Sequence, residues 1–215
     1  MKIYNQNDLT ENDYIDIGTY LSSSGVMIYP TETSYAIGAN ALDNDAVKII
    51  YGIKGRDFAK PLPVLVKDFN MLINLAYVNR QEEDIISKFW PGPLTILFKS
   101  KISRRYLFTS DSKFVGARIS PHLFPQTLFN KIDFPITATS ANISGEHSLT
   151  DFESIKRVFK IFEKKIVLIL IDSGELSGGS STIVRTLKKK VIIAREGENN
   201  IKERLICYMK NKKIL

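Results

Sequence analysis

Apolar positions along this chain alternate between helical spacing and short continuous runs. Between Leu9 and Ser24, Tyr14, Ile17 and Leu21 recur at helical spacing, and Thr10 with Asp13 forms a candidate capping box. Gly25 is expected to end that helix. Val26-Met27-Ile28-Tyr29 is a continuous apolar run of strand length, closed by Pro30. Asp43 is placed to cap a second helix whose Val47, Ile50 and Tyr51 face a core, and whose C-terminal end delivers Lys54 and Arg56. Leu62 to Val66 reads as a strand.

Helical patterns follow over Phe69–Leu75 and Glu82–Phe89, until Trp90-Pro91-Gly92-Pro93 forbids continuation. Leu94–Phe98 and Phe114–Ile119 read as strands, separated by a polar stretch between Lys101 and Lys113 that is a candidate for closing over a ligand. Leu123–Ile132 reads as a helix. Phe152, Ile155, Phe159 and Phe162 share one helical face, and Val167–Ile171 is a strand. Thr182–Leu187 and Val191–Ala194 pair as a hairpin across Lys188-Lys189-Lys190, and Ile201, Leu205 and Tyr208 form the apolar face of a last helix. Helices interspersed with apolar strands, with no repeat or linker between them, predict a single mixed α/β domain over residues 1–215 on a twisted mixed parallel and antiparallel sheet. Its core motifs lie at about 24–197, with a C-terminal helix and basic tail at 198–215.

Composition narrows the class. The chain of 215 residues is 44% hydrophobic and 25% charged, which excludes wholesale disorder, and no apolar run is long enough to cross a bilayer. Met1 to Asp13 lacks the apolar segment of a signal peptide, so a cytoplasmic address is expected. One cysteine and two histidines cannot build a zinc cage, and no metal ligand is expected from protein side chains. The net charge of +7 points to anionic partners: nucleotides, RNA or acidic surfaces.

The chemistry concentrates where strands and helices end. Pro135 to Gly145 begins apolar and breaks into Thr137, Thr139, Ser140, Asn142 and Ser144, small groups rich in hydrogen-bonding capacity, before a glycine that permits a turn. The plainer reading is a Ser/Thr-rich turn capping a helix. Lys54-Gly55-Arg56 sets an ammonium and a guanidinium two positions apart, a pattern suited to different oxygens of one phosphate chain and equally to a helix C-terminus. Arg118 lies on an otherwise apolar strand, so it needs a partner or a cavity. Arg195 makes the same case, with Glu196 as a candidate counter-charge. Thr33 in Pro30-Thr31-Glu32-Thr33 lies at a strand's carboxyl end, where open α/β sheets bind ligands, while Glu32 is a candidate partner for an arginine. Ser181 and Thr182 follow Gly178-Gly179.

No P-loop, dinucleotide fingerprint or nucleophile elbow is present, and no nucleophile and base pair. Several cations and many hydroxyls without a nucleophile suit a reaction in which the substrates bring the nucleophile, such as nucleotidyl transfer.

Over about Ser24 to Gly197 the chain resembles the YrdC-type threonylcarbamoyl-AMP synthases. The carriers are Tyr-Pro-Thr-Glu-Thr at 29–33, Lys-Gly-Arg at 54–56, Lys-Pro-Leu at 60–62, Trp-Pro-Gly-Pro-Leu-Thr at 90–95, Val-Gly-Ala-Arg at 115–118, Ser-Ala-Asn-Ile-Ser-Gly at 140–145 and Ser-Thr-Ile-Val at 181–184. The resemblance implies a YrdC-like fold with a positively charged concave face. It also implies synthesis of threonylcarbamoyl-AMP and pyrophosphate from L-threonine, bicarbonate and ATP, with Mg²⁺ accompanying the nucleotide, for threonylcarbamoyladenosine modification of tRNA.

Carried over by position, Lys54 and Arg56 are the implied catalytic pair and bind ATP phosphates. Ser140, Asn142, Ser148 and Arg195 hold the nucleotide, and Thr33, Arg118 and Ser181 hold threonine. Contact with tRNA through the basic face, and delivery to downstream transferase proteins, are implied as well. The chain departs from the family at Ala36, Leu65, Phe114, Thr139 and Glu196, where relatives commonly have glycine, histidine in some, threonine, proline and proline. It resembles the short form without an appended C-terminal domain. The competing reading is an RNA-binding module of the same fold without catalysis, for which no aromatic-rich RNA-recognition signature speaks. A carbamoyl-transfer domain of hydrogenase maturation factors shares the fold, but those factors carry cysteine-rich zinc modules that one cysteine cannot provide.

Overall fold

A computed structural model describes residues 1–102, 104–164, 166–188 and 190–211. The chain opens with strand β1 (Lys2–Asn5) and helix α1 (Glu11–Ser22), whose N-terminus carries the expected capping box between Thr10 and Asp13. Strand β2 (Val26–Pro30) turns through Thr31–Ser34 into β3 (Tyr35–Gly38). Asp43 caps α2 (Asn44–Lys54) through bonds to the N–H groups of Asp45 and Ala46. Then come β4 (Val64–Leu65), α3 (Phe69–Leu75), β5 (Ala76–Tyr77), α4 (Arg80–Phe89), β6 (Leu94–Ser100), β7 (Phe114–Arg118) and α5 (Leu123–Leu128). The second half holds β8 (Ile136–Thr137), β9 (Thr139–Ser140), α6 (Phe152–Phe159), β10 (Leu168–Asp172), β11 (Thr182–Leu187), β12 (Lys190–Arg195) and α7 (Ile201–Asn211).

The mixed α/β class is as expected, but the strands divide into two sheets. One runs β1-β10-β2-β3-β9; the other runs β12-β11-β6-β7-β4-β8, with β5 beside β6. β1 pairs parallel with β10 and β10 with β2, whereas β2–β3 and β3–β9 are antiparallel. β2 is buried on both faces, as its unbroken apolar run requires. Val26 and Ile28 enter the larger core with α2, while Met27 and Tyr29 enter a smaller one with α1 and α5. β10 divides in the same way, Leu168 and Leu170 against Ile169 and Ile171.

The stretch 135–145 stitches the sheets together. β8 pairs with β4 and β9 with β3, so the chain crosses between sheets at Ala138, whose N–H donates to the Pro63 oxygen at 2.8 Å. Thr137 is fully buried, and its hydroxyl donates to the Ile37 oxygen at 3.2 Å and accepts from the Ala39 N–H at 3.1 Å. Thr137 is therefore a pin of the seam, not a free ligand group.

Three local expectations change. Helix α1 ends with Ser24, not Gly25, in the left-handed region at φ 60°; a Cβ on Gly25 would lie 2.4 Å from the Tyr20 oxygen, so that glycine answers to space. The strand expected over Leu62–Val66 shrinks to Val64–Leu65, and the helix expected over Leu123–Ile132 stops at Leu128, its Phe129 and Ile132 still buried. No helix among the described residues is long and apolar enough to cross a membrane.

Candidate active site

The second sheet presents two unlike faces. Leu94, Ile96 and Phe98 of β6 and Val115 and Ala117 of β7 point into the larger core. Alternate residues, Thr95 and Leu97 of β6 with Phe114, Gly116 and Arg118 of β7, line a cavity of about 500 Å³. Thr31 and Thr33 from the turn after β2, Ser140 and Ser148 around the seam, and Ser181 and Arg195 at the hairpin complete its walls together with Arg56. A second cavity of about 290 Å³ is lined by Lys54, Arg56, Asp57, Asn142, Ser144 and Gly145 among others. Arg56, Lys60 and Ser140 line both. All nine site residues expected from the sequence thus converge on two adjoining cavities.

Their side chains are in different states of engagement. Gly55 ends α2 at φ 57°, which turns Arg56 away from the helix. The Arg56 guanidinium leans on the Lys60 and Pro61 oxygens, at 3.2 and 3.1 Å. Lys54 is 1% exposed and points inward. Its ammonium donates to the Ser140 oxygen at 2.6 Å, the Asn142 oxygen at 2.8 Å and Asn142 Oδ1 at 2.7 Å. Burial, and then the like charge of Arg56, push its pKa down to about 7. All three ammonium donors are spent on the seam loop, so the two cations expected to turn towards one anion divide their tasks.

Asn142 is equally occupied. Its Oδ1 also accepts from Ser140 Oγ at 2.7 Å, and its amide nitrogen donates to the Glu146 oxygen at 2.5 Å. These bonds hold the loop so that Ser140, Ser144 and Gly145 face the cavities.

Arg118 is 5% exposed and answers the sequence argument with both a partner and a cavity. Its Nη1 lies 2.8 Å from Glu32 Oε1, and the Ser120 hydroxyl donates to the other carboxylate oxygen. Arg195 Nη2 donates to the Ser181 oxygen at 2.7 Å and to Ser181 Oγ at 3.2 Å, while Ser181 Oγ also meets Thr95 Oγ1 at 2.9 Å. Glu196 does not neutralise Arg195; it pairs with Lys202 at 2.6 Å on the surface. Burial holds the Arg195 pKa down, and the charges of Arg118 and Arg56 add to the effect. Three guanidiniums line this one cavity, and positive charge gathered in a cleft favours an anionic ligand. Thr33 Oγ1 bonds to Thr31 Oγ1 at 2.9 Å, and Thr31 in turn donates to the Ser34 oxygen at 2.7 Å.

Sequence reasoning missed Thr31, Lys60, Thr95, Ser112 and Ser180 as lining residues. Thr31, Lys60 and Thr95 lie inside motifs already quoted, and Ser112 in the polar stretch before β7, so signals existed for these. Among the described residues no group of three or more His, Cys, Asp or Glu is placed to hold a metal ion.

The Sua5/YciO/YrdC family model, described as telomere recombination, matches residues 19–197. A putative threonylcarbamoyl-AMP synthase of Methanocaldococcus jannaschii is 35% identical over 210 residues, covering 96% of this chain and 97% of the relative. The threonylcarbamoyl-AMP synthase of Pyrococcus abyssi is 37% identical over 181 residues, covering 83% of this chain and 52% of that longer protein. The crystal structure of Pyrococcus abyssi Sua5 complexed with L-threonine superposes with a TM-score of 0.84 at 31% identity, over 94% of this chain and 59% of that one. With that family model spanning most of its length, the chain belongs to the Sua5/YciO/YrdC family.

Proposed function

We propose that the chain is a threonylcarbamoyl-AMP synthase, condensing L-threonine and bicarbonate and adenylating the product with ATP. The observation that carries this reading is the meeting of Arg56, Arg118 and Arg195, with Lys60, around one cavity whose other polar side chains among the described residues are hydroxyls. Two relatives that match most of this chain carry that name, and a structural neighbour was solved with L-threonine.

The chemistry divides into two steps. The threonine amine attacks the carbon of bicarbonate, a C–N bond forms, and water leaves to give a carbamate. A carbamate oxygen then attacks the α-phosphorus of ATP; the new O–P bond forms as the bond to the β-phosphate oxygen breaks and pyrophosphate departs. Both reactants are anions, so the chain's task is to hold them together against repulsion and in line. Arg118 and Ser181 hold the threonine carboxylate, with Thr33 on its amine and hydroxyl side. Arg56 meets the outer phosphates by direct contact, and Lys54 serves the nucleotide through the loop it fixes. Ser140, Asn142, Ser148 and Arg195 hold the nucleotide.

Among the described residues Asp57 is the one carboxylate lining the smaller cavity, and that donor set fits Mg²⁺ carried on the nucleotide's own phosphates better than an ion held by the protein. When bound, the ion supplies charge neutralisation for the departing pyrophosphate. Delivery of the adenylate to tRNA-modifying transferases, and contact with tRNA through the basic face, complete the proposal, with action in the cytoplasm.

The test is pyrophosphate release from ATP by the purified protein, with threonine and bicarbonate each present or omitted. Release that needs both is expected. Release that ignores threonine would overturn the assignment.

A further inference from the structure

We propose, resting on the threonine reading above, that Ser120 is a positioning residue for L-threonine. Its hydroxyl holds the Glu32 carboxylate against one nitrogen of Arg118, and so keeps the rest of that guanidinium open to the substrate carboxylate. Arg118 lines the cavity, whereas Glu32 and Ser120 do not. Arg118 Nη1 donates to Glu32 Oε2 at 3.1 Å and lies 2.8 Å from Oε1. In spite of that contact, Oε1 is buried and accepts no hydrogen bond. Among the described residues, no hydrogen bond to Glu32 uses Nη2 or Nε of Arg118.

A carboxylate and a guanidinium without other claims on them commonly meet side by side, each oxygen taking one N–H. Here the Ser120 hydroxyl donates to Oε2 and turns the carboxylate out of that arrangement. The hydroxyl is itself set. Its oxygen accepts from the His122 N–H at 3.2 Å, the Ser120 carbonyl accepts from Gln126 Nε2 at 3.3 Å, and the residue is buried. An aligned bond is thereby withheld from Oε1, and a buried oxygen without a donor calls for a reason. The substrate supplies one: a second carboxylate can bind Arg118 only at the nitrogens that Glu32 leaves free. Without the Ser120 hydroxyl, the Glu32 carboxylate can rotate onto a second nitrogen of Arg118, gaining an aligned bond and closing the edge that threonine needs. The turn around Glu32 is held separately, by Thr31 Oγ1 on the Ser34 oxygen at 2.7 Å and Ser177 Oγ on the Glu32 oxygen at 3.3 Å. Loss of the hydroxyl therefore moves the carboxylate and leaves Thr33 in place.

The experiment is calorimetric binding of L-threonine, and of L-threoninamide, which lacks the carboxylate, to wild type, Ser120→Ala and Ser120→Thr. Steady-state kinetics and urea unfolding accompany it. Ser120→Ala should weaken threonine about tenfold and leave threoninamide within about twofold. The KM for threonine should rise by the same factor while kcat stays within about threefold, because the lost contact is made equally before and during reaction. The KM for ATP and the urea midpoint should hold, the latter because Glu32 regains from Arg118 the aligned bond it loses from Ser120. Ser120→Thr keeps the hydroxyl and should restore threonine affinity to within about threefold. Unchanged threonine affinity in Ser120→Ala would overturn the positioning role. So would equal weakening of threonine and threoninamide, a parallel loss of ATP affinity, or a threonine variant as weak as the alanine one, each of which marks a general disturbance of packing. A wild-type protein that binds threoninamide as tightly as threonine fails at Arg118 itself, and so overturns the threonine reading together with the proposal.

Discussion

Lys54 Nζ lies 2.7 Å from Asn142 Oδ1 and 2.8 Å from the Asn142 backbone oxygen, tying the end of α2 to the loop that leaves the seam between the sheets. The Ser144 N–H returns a bond to the Lys54 oxygen at 2.9 Å. A lysine with its donors so committed acts on substrate mainly through the loop it holds. Lys54→Met should therefore destabilise the fold by roughly 2–4 kcal/mol, because buried oxygens lose a charged donor. It should also weaken AMP and ATP by the same factor, since the loop serves both. Arg56→Ala should behave differently, with a loss that grows from AMP to ATP. Urea unfolding with nucleotide titrations checks both; an unfolding midpoint unchanged in Lys54→Met would refute the anchoring role.

The same lysine gives a pH dependence of opposite sign for stability and activity. Its folded pKa is pushed down to about 7, from an ordinary value of 10.5, by burial and then by Arg56. Between those values the unfolded chain binds the proton that the folded chain has lost. Stability should thus rise with pH across that window and be flat below it on account of this group. Activity should fall as pH rises through about 7, because a neutral amine has two N–H donors for three acceptors. Denaturant midpoints and pyrophosphate release, followed over one pH series, test the pair of slopes. A falling rate accompanied by falling stability would mean general unfolding instead.

Glu32 supplies the counter-charge without which Arg118 is a buried cation. The side chains are 12% and 6% exposed, so water offers little relief. Glu32→Ala should cost about 3–5 kcal/mol, the range for breaking one side of a buried pair. Adding Arg118→Leu should recover much of that stability by removing the stranded charge, and should recover no activity, because the threonine carboxylate has lost its partner. Thermal unfolding of the single and double variants separates these effects; additive losses would argue against the pairing.

How far the site was legible depended on sequence distance. Arg118 announced itself as a charge on an apolar strand, and Glu32 was readable as a partner for an arginine. The commitment of Lys54 was not, because its acceptors lie 86 and 88 residues away and the Lys-Gly-Arg spacing looks the same whether the lysine points in or out. The helices came through well where a cap and an apolar stripe agreed, as in α1 and α2. Strands β1 and β3 were missed for opposite reasons. β1 is largely exposed and takes its identity from parallel pairing with β10, far along the chain. β3 is wholly buried but holds Ala36 and Gly38, which carry little strand signal; a Cβ on Gly38 would come 2.5 Å from the Tyr29 ring. The division into two sheets was out of reach because it turns on one residue, Ala138, between two strands of two residues each.

Gly197 offers the sharpest separation of backbone space from chemistry. It follows Arg195 by two residues and packs against the segment that carries Ser181. A Cβ there would lie 2.2 Å from the Ser180 oxygen and 2.6 Å from the Thr182 nitrogen, contacts with backbone that a side-chain rotation cannot relieve. Its N–H also donates to Thr182 Oγ1 at 3.1 Å. Gly197→Ala must push residues 180–182 aside, which breaks the Arg195–Ser181 contact and moves a threonine-site hydroxyl. The expected cost is about 1–3 kcal/mol in stability with a rise in the KM for threonine. Gly174→Ala is the matched control, for it has φ 68° and open space around its Cβ. It should lose about 1–2 kcal/mol through the left-handed backbone and keep its kinetic constants. Denaturation and steady-state kinetics on the two variants decide the matter: if Gly197→Ala loses stability alone, as the control should, Gly197 supports the fold and has no part in setting Ser181.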